Sequence, residues 1–492
     1  MQGMDYRFIN TELVERERSY WRYPGVTICA FDEESEEIYC TGTRKLGEEL
    51  PFNRDTMFTI ASCSKSMTAA LIARLVAEGV LDFDRPVSSY IPEFQMWDEE
   101  ATAKMSLRDM LCHNTGFGAY DVLWPAVFSR EEMARNLRYI EPTDSFRSGR
   151  SLYSNVIYAL IGYVAEAVTG KSWPQLMEEY IFRPLGMSRT NCLADEIKAD
   201  ANHAEPHFFR AGGVVTVPYW NVDQAGPAAS VNSTPTDMLK WLRFHMAGGR
   251  LPDGTQLIPE ALFREMHTEQ AHFPETLTPP HPDYHGGQYC MGWRRGFYKG
   301  HEIQKHTGKI EGYSTLQLYL PAEKKGILIM VNFHSPTAYF FNLLTYETVN
   351  RMLGIEEDLS HLYHEAGTFA PAEEYRDSEV DVAAKRLPEA ERGCALKYEN
   401  KAITGTYVNR GFGYVNIYEK AEDGSLFLHY RDQDLLLQPW GGAWYFMEGV
   451  KADTLTMRIP VRFEVSPDGD RVNRVYIGYE PELRDVLFMK TV

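Results

Sequence analysis

Two short apolar blocks set the first pattern in the chain. "PGVTICAF" (24–31) and "EIYCTG" (37–42) flank the acidic turn Asp32–Glu36 and predict a β-hairpin. The spacing then becomes helical. In "SKSMTAALIARLVAEG" the residues Met67, Leu71, Ile72, Leu75 and Val76 fall on one helical face, and Gly79 is the expected stop. "SLRDML", from Ser106, opens with the S-x-x-D of a capping box. "NVIYALIGYVAEAVTG" predicts a buried helix ending at Gly170, and "TDMLKWLRFHMAGG" another ending at Gly248 and Gly249. Strands return in "STLQLYL" (314–320) and "GILIMVNF" (326–333), around a "PAEKK" turn. Strands open and close residues 1–355 and helices fill the middle. That order predicts an α+β domain with one antiparallel sheet flanked by helices and a helical subdomain.

Residues 356–400 are rich in charge and alanine and predict a partly helical connector. From 401 to 492 the texture is short strands separated by turns such as "EDGS" and "PDGD". "GTYVN", "YVNIYEK", "LFLHYR", "LLLQPW", "AWYFME", "TLTMRIP", "RFEVSP" and "RVYIGY" predict a small all-β C-terminal barrel or sandwich.

Composition narrows the functional classes. A chain of 492 residues is too long for one ordinary core. Its net charge of −19 argues against nucleic-acid and anionic-membrane partners, which reward basic surface. No apolar run approaches the roughly 20 residues that span a bilayer. The N-terminus "MQGMDYRFINTELVERERSYW" lacks a basic then apolar secretory pattern. Seven scattered cysteines without a C-x-x-C pair suit reduced thiols, so a cytoplasmic location is expected.

The candidate chemistry begins at Ser62 and Lys65. S-x-x-K arises about once by chance in a chain this long. Here, however, it opens a helix, so the Lys65 amine can lie beside the Ser62 hydroxyl. A lysine shielded from water can act as a base toward that hydroxyl. Tyr153-Ser154-Asn155 precedes another apolar helix, and His306-Thr307-Gly308 is expected just before a strand.

Together these motifs resemble the serine β-lactamase and penicillin-binding-protein superfamily, in its Y-x-N and H-T-G variant. That variant is found among relatives of class C β-lactamases (which keep K-T-G), D,D-carboxypeptidases, D-aminopeptidases and esterases. The text "TIASCSKSMTA", "MSLRDMLCHNTGF", "FRPLGMSRT" and "GPAASVNSTPTDMLKWL" carries the likeness over roughly residues 20–350. The C-terminal strands resemble a lipocalin-like module. The resemblance implies a serine hydrolase that forms an acyl-enzyme on Ser62, with small peptides containing D-amino acids as substrates. The alternatives are a carboxylesterase on short acyl esters, a weak β-lactamase, and a non-catalytic penicillin-binding-type protein.

The resemblance also implies roles. Lys65 and Tyr153 share the proton transfers. The backbone N–H groups of Ser62 and Lys309 form the oxyanion hole. Asn155 binds the substrate amide and holds Lys65. His306 and Thr307 line the wall near the substrate's carboxylate or backbone, and Gly308 allows close approach. No metal or cofactor is implied. The C-terminal module is expected to narrow access to the site, to build a homo-oligomer, or both.

Several features depart from these patterns. His306 stands where K-T-G has a lysine, so only partial charge is expected there near neutral pH. There is no S-D-N, and Glu166 lies inside a predicted helix, outside any catalytic role. Asn114 occupies a position where relatives often have Thr or Ser. "TGKS" (169–172) lacks the earlier glycine of a phosphate loop, and "HEIQKH" (301–306) spaces its histidines one residue too far for a zinc protease. "HLYHE" (361–365) and "HPDYH" (281–285) are expected to be solvated rather than metal-binding. Trp440, Trp444, Tyr445 and Phe446 are expected to pack a barrel core rather than line a ligand pocket.

Overall fold

The computed structural model describes residues 6–120, 129–210, 213–273, 281–334, 339–359, 362, 386–430, 433–449, 459–465, 471–478 and 485–491. The predicted hairpin is present as strands Gly25–Phe31 and Glu36–Gly42. It forms one end of an eight-stranded antiparallel sheet. The order is Glu36–Gly42, Gly25–Phe31, Lys325–Val331, Tyr313–Leu320, His301–Ile310, Arg294–Tyr298, Tyr284–Tyr289 and Ala271–His272. Every residue of Gly25–Phe31 is buried, because both faces of the sheet are covered. The terminal helices Thr11–Tyr20 and Tyr339–Leu353 cover one face, where Val14, Phe340 and Leu344 meet Val26, Ile28 and Ile329. Helices Ser64–Ala77 and Pro235–Met246 lie against the other.

The helix Ser64–Ala77 is more deeply buried than its apolar stripe suggested. Ser64, Lys65, Ser66 and Thr68 are fully buried too. Buried hydroxyls need partners, and each has one. Ser64 donates to Ala61 O at 2.6 Å, Ser66 to Cys63 O at 2.8 Å, and Thr68 to Pro227 O at 2.8 Å. Helix Asn155–Thr169 starts on the Ser154 side chain and stops at Gly170, whose φ of 70° lies in the left-handed region that glycine tolerates.

The sequence placed His306-Thr307-Gly308 just before a strand. The triplet instead lies inside strand His301–Ile310. This strand and the next two towards the sheet edge, Arg294–Tyr298 and Tyr284–Tyr289, carry Gly, Arg, Lys, Gln and His, so they lack an apolar alternation. Their cross-strand ladders hold them in place.

The C-terminal strands close an eight-stranded antiparallel barrel. The last strand, Val486–Lys490, pairs with the first, Gly405–Asn409. Of the expected strands "TLTMRIP" and "RFEVSP", residues 454–458 and 466–467 lie outside the described residues; the described part is one strand, Ile459–Val465, which runs through Pro460. Proline cannot donate to the ladder, but the Pro460 carbonyl accepts from Gly478 N at 2.9 Å. The eighth strand, "VLFMK", was missed in the sequence. Tyr445 is buried against Phe463, whereas Trp440 is only half-buried and donates to Pro388 O at 3.0 Å. The barrel meets the first unit at its Asn409–Gly413 turn. There Phe412 packs on Tyr120 with ring centroids 5.9 Å apart, and a Cβ on Gly411 would stand 2.6 Å from Ile140 Cγ1. Most of the expected connector, including "HLYHE" apart from Leu362, lies outside the described residues. Among the described residues, no helix is long and apolar enough to cross a membrane.

Candidate active site

Ser62 lies in the turn Ala61–Cys63, between strand Phe58–Thr59 and helix Ser64–Ala77. The turn begins with a strained residue: Ala61 has a φ of 49°, which non-glycine residues rarely adopt. Two hydrogen bonds to the Val231 backbone fix it. Val231 O accepts from Ile60 N at 3.0 Å, and Val231 N donates to Ser64 Oγ at 3.1 Å. The third constraint is Gly308. A Cβ there would stand 2.0 Å from Ile60 O and 3.2 Å from Ala61 Cβ, so only glycine lets the strand lie this close. Ser62 is thereby presented half-exposed at a helix start, where backbone N–H groups lack helical partners.

Lys65 is fully buried. Its Nζ lies 3.1 Å from Ser62 Oγ, 2.7 Å from Asn155 Oδ1 and 2.9 Å from Ala228 O. The two carbonyl oxygens can each accept an N–H hydrogen bond from this nitrogen even when it is a neutral amine, which leaves its lone pair for the Ser62 O–H. The Tyr153 ring centroid is 4.6 Å from Nζ. Tyr153 and Asn155 flank the capping residue Ser154, so one helix start delivers both side chains to Lys65.

The remaining predicted residues divide. The buried His306 ring lies 6.3 Å from the Tyr153 ring. Its Nδ1–H points to Thr307 O at 2.7 Å, so Nε2 accepts from Tyr289 OH at 3.1 Å. Burial, then the Arg294 and Lys65 charges, hold its pKa well below the usual histidine value. The partial charge expected from the sequence is therefore absent: His306 is neutral near pH 7. Thr307 and Lys309 are exposed on the same strand, and Lys309 pairs in register with Ser314.

Four residues at the site were missed in the sequence. His113, with a φ of 60°, accepts from Ser154 N on Nδ1 at 3.1 Å and stacks 4.6 Å from Tyr153. Burial first, then Lys65, hold its pKa well below the usual value. Tyr158 donates to Lys65 O at 3.2 Å. Tyr289 is bound to His306, as above. The Arg294 guanidinium lies 6.0 Å from the Tyr153 ring centroid. Of these, only His113 had a sequence signal, as the neighbour of the odd Asn114. Asn114 now has a role: its Oδ1 accepts from Gly149 N at 3.0 Å and steadies the loop that leads to Tyr153.

The metal near-misses resolve on geometry. "HEIQKH" is a strand, so His301 and His306 point to opposite faces. Among the described residues, His281, Asp283 and Glu357 bring ligand atoms within 4.8 Å. Lys299 Nζ already sits 3.1 Å from Asp283 and 3.0 Å from Glu357, supplying the positive charge there.

A serine with a buried lysine partner, backed by tyrosine and asparagine beneath an antiparallel sheet, defines a β-lactamase-like site. The β-lactamase family pattern matches residues 13–347, and the chain belongs to that family. It is similar to Unguisins hydrolase ungD of Aspergillus violaceofuscus, 26% identical over 94% of this chain and 86% of that protein. It is also similar to Penicillin-binding protein 4 of Amycolatopsis lactamdurans, 24% identical over 74% of this chain and 93% of that one. Among solved structures, the octameric penicillin-binding protein homologue from Pyrococcus abyssi shares the fold. Its TM-score is 0.59 at 18% identity, covering 97% of this chain and 98% of that one. D-amino acid amidase from Ochrobactrum anthropi SV3 has a TM-score of 0.56 at 21% identity, over 70% of this chain and 98% of its own.

Proposed function

We propose that this protein is a serine hydrolase that cleaves amide bonds in small peptides containing D-amino acids, through an acyl-enzyme on Ser62. The observation that carries the reading is Lys65 Nζ, held at once on Ser62, Asn155 and Ala228. In this reading Ser62 Oγ attacks the substrate carbonyl as its proton passes to Lys65. The backbone N–H groups of Ser62 and Lys309 receive the oxyanion. Lys65 and Tyr153 return a proton to the leaving amine, and water then releases the acyl group by the reverse path. Asn155 uses its amide N–H on the substrate, since its oxygen faces Lys65. Hydrolase activity in ungD, and the D-amino acid amidase among the structural relatives, support amide substrates.

The reading extends to the whole chain. The hydrolase unit spans residues 1–355, the connector 356–400 and the barrel 401–492, with the barrel narrowing access from the Phe412 side. A homo-oligomer is proposed from the octameric relative, and light scattering of the full chain tests it. A cytoplasmic location fits the seven free cysteines.

The test of activity is turnover of matched D-alanyl and L-alanyl p-nitroanilides, with Ser62→Ala as the blank. Faster release from the D form, abolished by Ser62→Ala, is the expected result. Equal or faster release from the L form removes the D-preference. Release that survives Ser62→Ala removes the mechanism.

A further inference from the structure

We propose that the seam between the hydrolase unit and the barrel is the contact surface for a second copy of this chain, and that Tyr414 of each copy fills the cleft beside Trp97 of the other. The proposal rests on the homo-oligomer reading above and names the surface that carries it.

Large apolar side chains exposed singly are ordinary, but a cluster of them marks a contact surface. Eight are exposed among the described residues, and five of the eight lie along this seam. Trp97, 53% exposed, and Tyr139, 40% exposed, line one open cleft of about 380 Å³ with Gln95, Glu99 and Arg138. The Arg410 guanidinium, in the barrel turn Asn409–Gly413, lies 5.8 Å from the Tyr139 ring centroid. On either side of that turn Val408 and Tyr414 face each other across the hairpin, and Val408 faces Met489 on the adjoining strand. Their neighbours Tyr407, Val415 and Phe488 are buried in the barrel, so this row of three points outward. Tyr414, 57% exposed, is the most open of the eight.

Size, charge and order along the surface all fit a copy of the same chain. Taking roughly 200 Å² for a whole aromatic side chain, the three aromatics alone leave on the order of 300 Å² open. A stable two-fold contact buries about 800 Å² on each side, with an apolar centre and a polar rim. The seam has the centre, and Gln95, Glu99 and Arg138 begin the rim. The whole chain carries a net charge of −19, so two copies repel unless they meet where that excess is missing. The charges on the seam are Glu99, Arg138 and Arg410. Among the described residues, no cation pairs with Glu99 and no carboxylate with Arg410. Tyr139 lines the cleft and also touches Arg410, so it stands between Glu99 and the Tyr414 row. A two-fold axis near Tyr139 exchanges the two sides. It brings Tyr414 into the partner's cleft and Arg410 to the partner's Glu99, each contact being made twice.

The experiment measures the molar mass of the full-length chain by light scattering over a dilution series. The variants are Tyr414→Ser, Glu99→Arg, Arg410→Glu and the double reversal Glu99→Arg with Arg410→Glu. Each changed side chain is exposed, and circular dichroism confirms that the variants fold. Wild type should run as a multiple of the chain mass. Tyr414→Ser and each single reversal should raise the dissociation constant at least about tenfold, through a lost anchor or like charges brought together. The double reversal should recover most of the loss, because it restores the pair with its signs exchanged. That pattern supports the proposal. An oligomer unmoved by these variants, or a double reversal no tighter than the single ones, overturns it and leaves the homo-oligomer reading standing. A wild-type monomer at every concentration overturns both.

Discussion

Gly308 and His113 fix two edges of the site from behind, at single positions. A side chain at 308 meets backbone rather than a flexible tip, since Ile60 O lies 2.0 Å from the ideal Cβ. Gly308→Ala should therefore push the strand off the Ser62 turn, costing roughly 1–3 kcal/mol as overpacked sites do. Denaturant unfolding measures that cost, and slower fluorophosphonate labelling of Ser62 measures the displacement. His113→Ala removes the acceptor of Ser154 N and the ring beneath Tyr153. It should lower kcat at least tenfold, by analogy with other positioning contacts, while His113→Asn, which keeps an acceptor, recovers part of the loss. The meeting of Ser62, Asn155 and Tyr153 around Lys65 was legible in the sequence because all four stand at or beside helix starts. Arg294 and Tyr289 were not, because each enters the cleft from a strand whose own pattern is irregular. The neutrality of His306 could not be read at all, since it depends on burial and on two charges brought in by the fold.

At the scale of elements, the short helix Leu107–Leu111 does more than its length suggests. Ser106 and Asp109 form the predicted capping box, and Asp109 also holds Arg147 at 2.8 and 2.9 Å. The cap thus ties a helix to the loop that precedes Tyr153. Asp109→Ala should cost about 1–2 kcal/mol, near the upper range for a lost cap, and should raise proteolytic sensitivity in the 144–151 loop; denaturant titration and limited proteolysis check both. Helices with caps and glycine stops, such as Asn155–Thr169, were read from the sequence nearly to the residue. Strands fared unevenly. Gly25–Phe31 and Lys325–Val331 announce themselves because both their faces are buried. Tyr284–Tyr289 and Arg294–Tyr298 owe their conformation to neighbours on either side, which local pattern does not record. In the barrel, Pro460 suggested a break where the ladder continues.

At the scale of the whole molecule, among the described residues, five histidines have pKa values lowered by loss of solvent: His113, His207, His245 and His306, which are buried, and His267, which is half-buried. Burial is the leading cause in each, and for His207 and His267 the pKa falls to about 4. His267 donates Nδ1–H to Phe263 O, so its Nε2 accepts from His245 Nδ1–H, an arrangement that requires the His267 ring to be uncharged. These folded pKa values are depressed, so below about pH 6.5 the unfolded chain binds more protons than the folded one. Stability should be level above that pH and fall between about 6.5 and 4, by up to about 1.4 kcal/mol per pH unit for each histidine still neutral in the fold. Melting temperature against pH measures this, and an unchanged value from pH 7 to 5 would contradict it. The contact at Phe412 bears on how the molecule melts. Because Phe412, Tyr120 and Ile140 belong to a single apolar cluster that runs from the sheet's helices into the barrel, neither unit can lose its structure without opening the other's interior to water. Heating should accordingly give one calorimetric endotherm for the chain, and Phe412→Ala should split it into two.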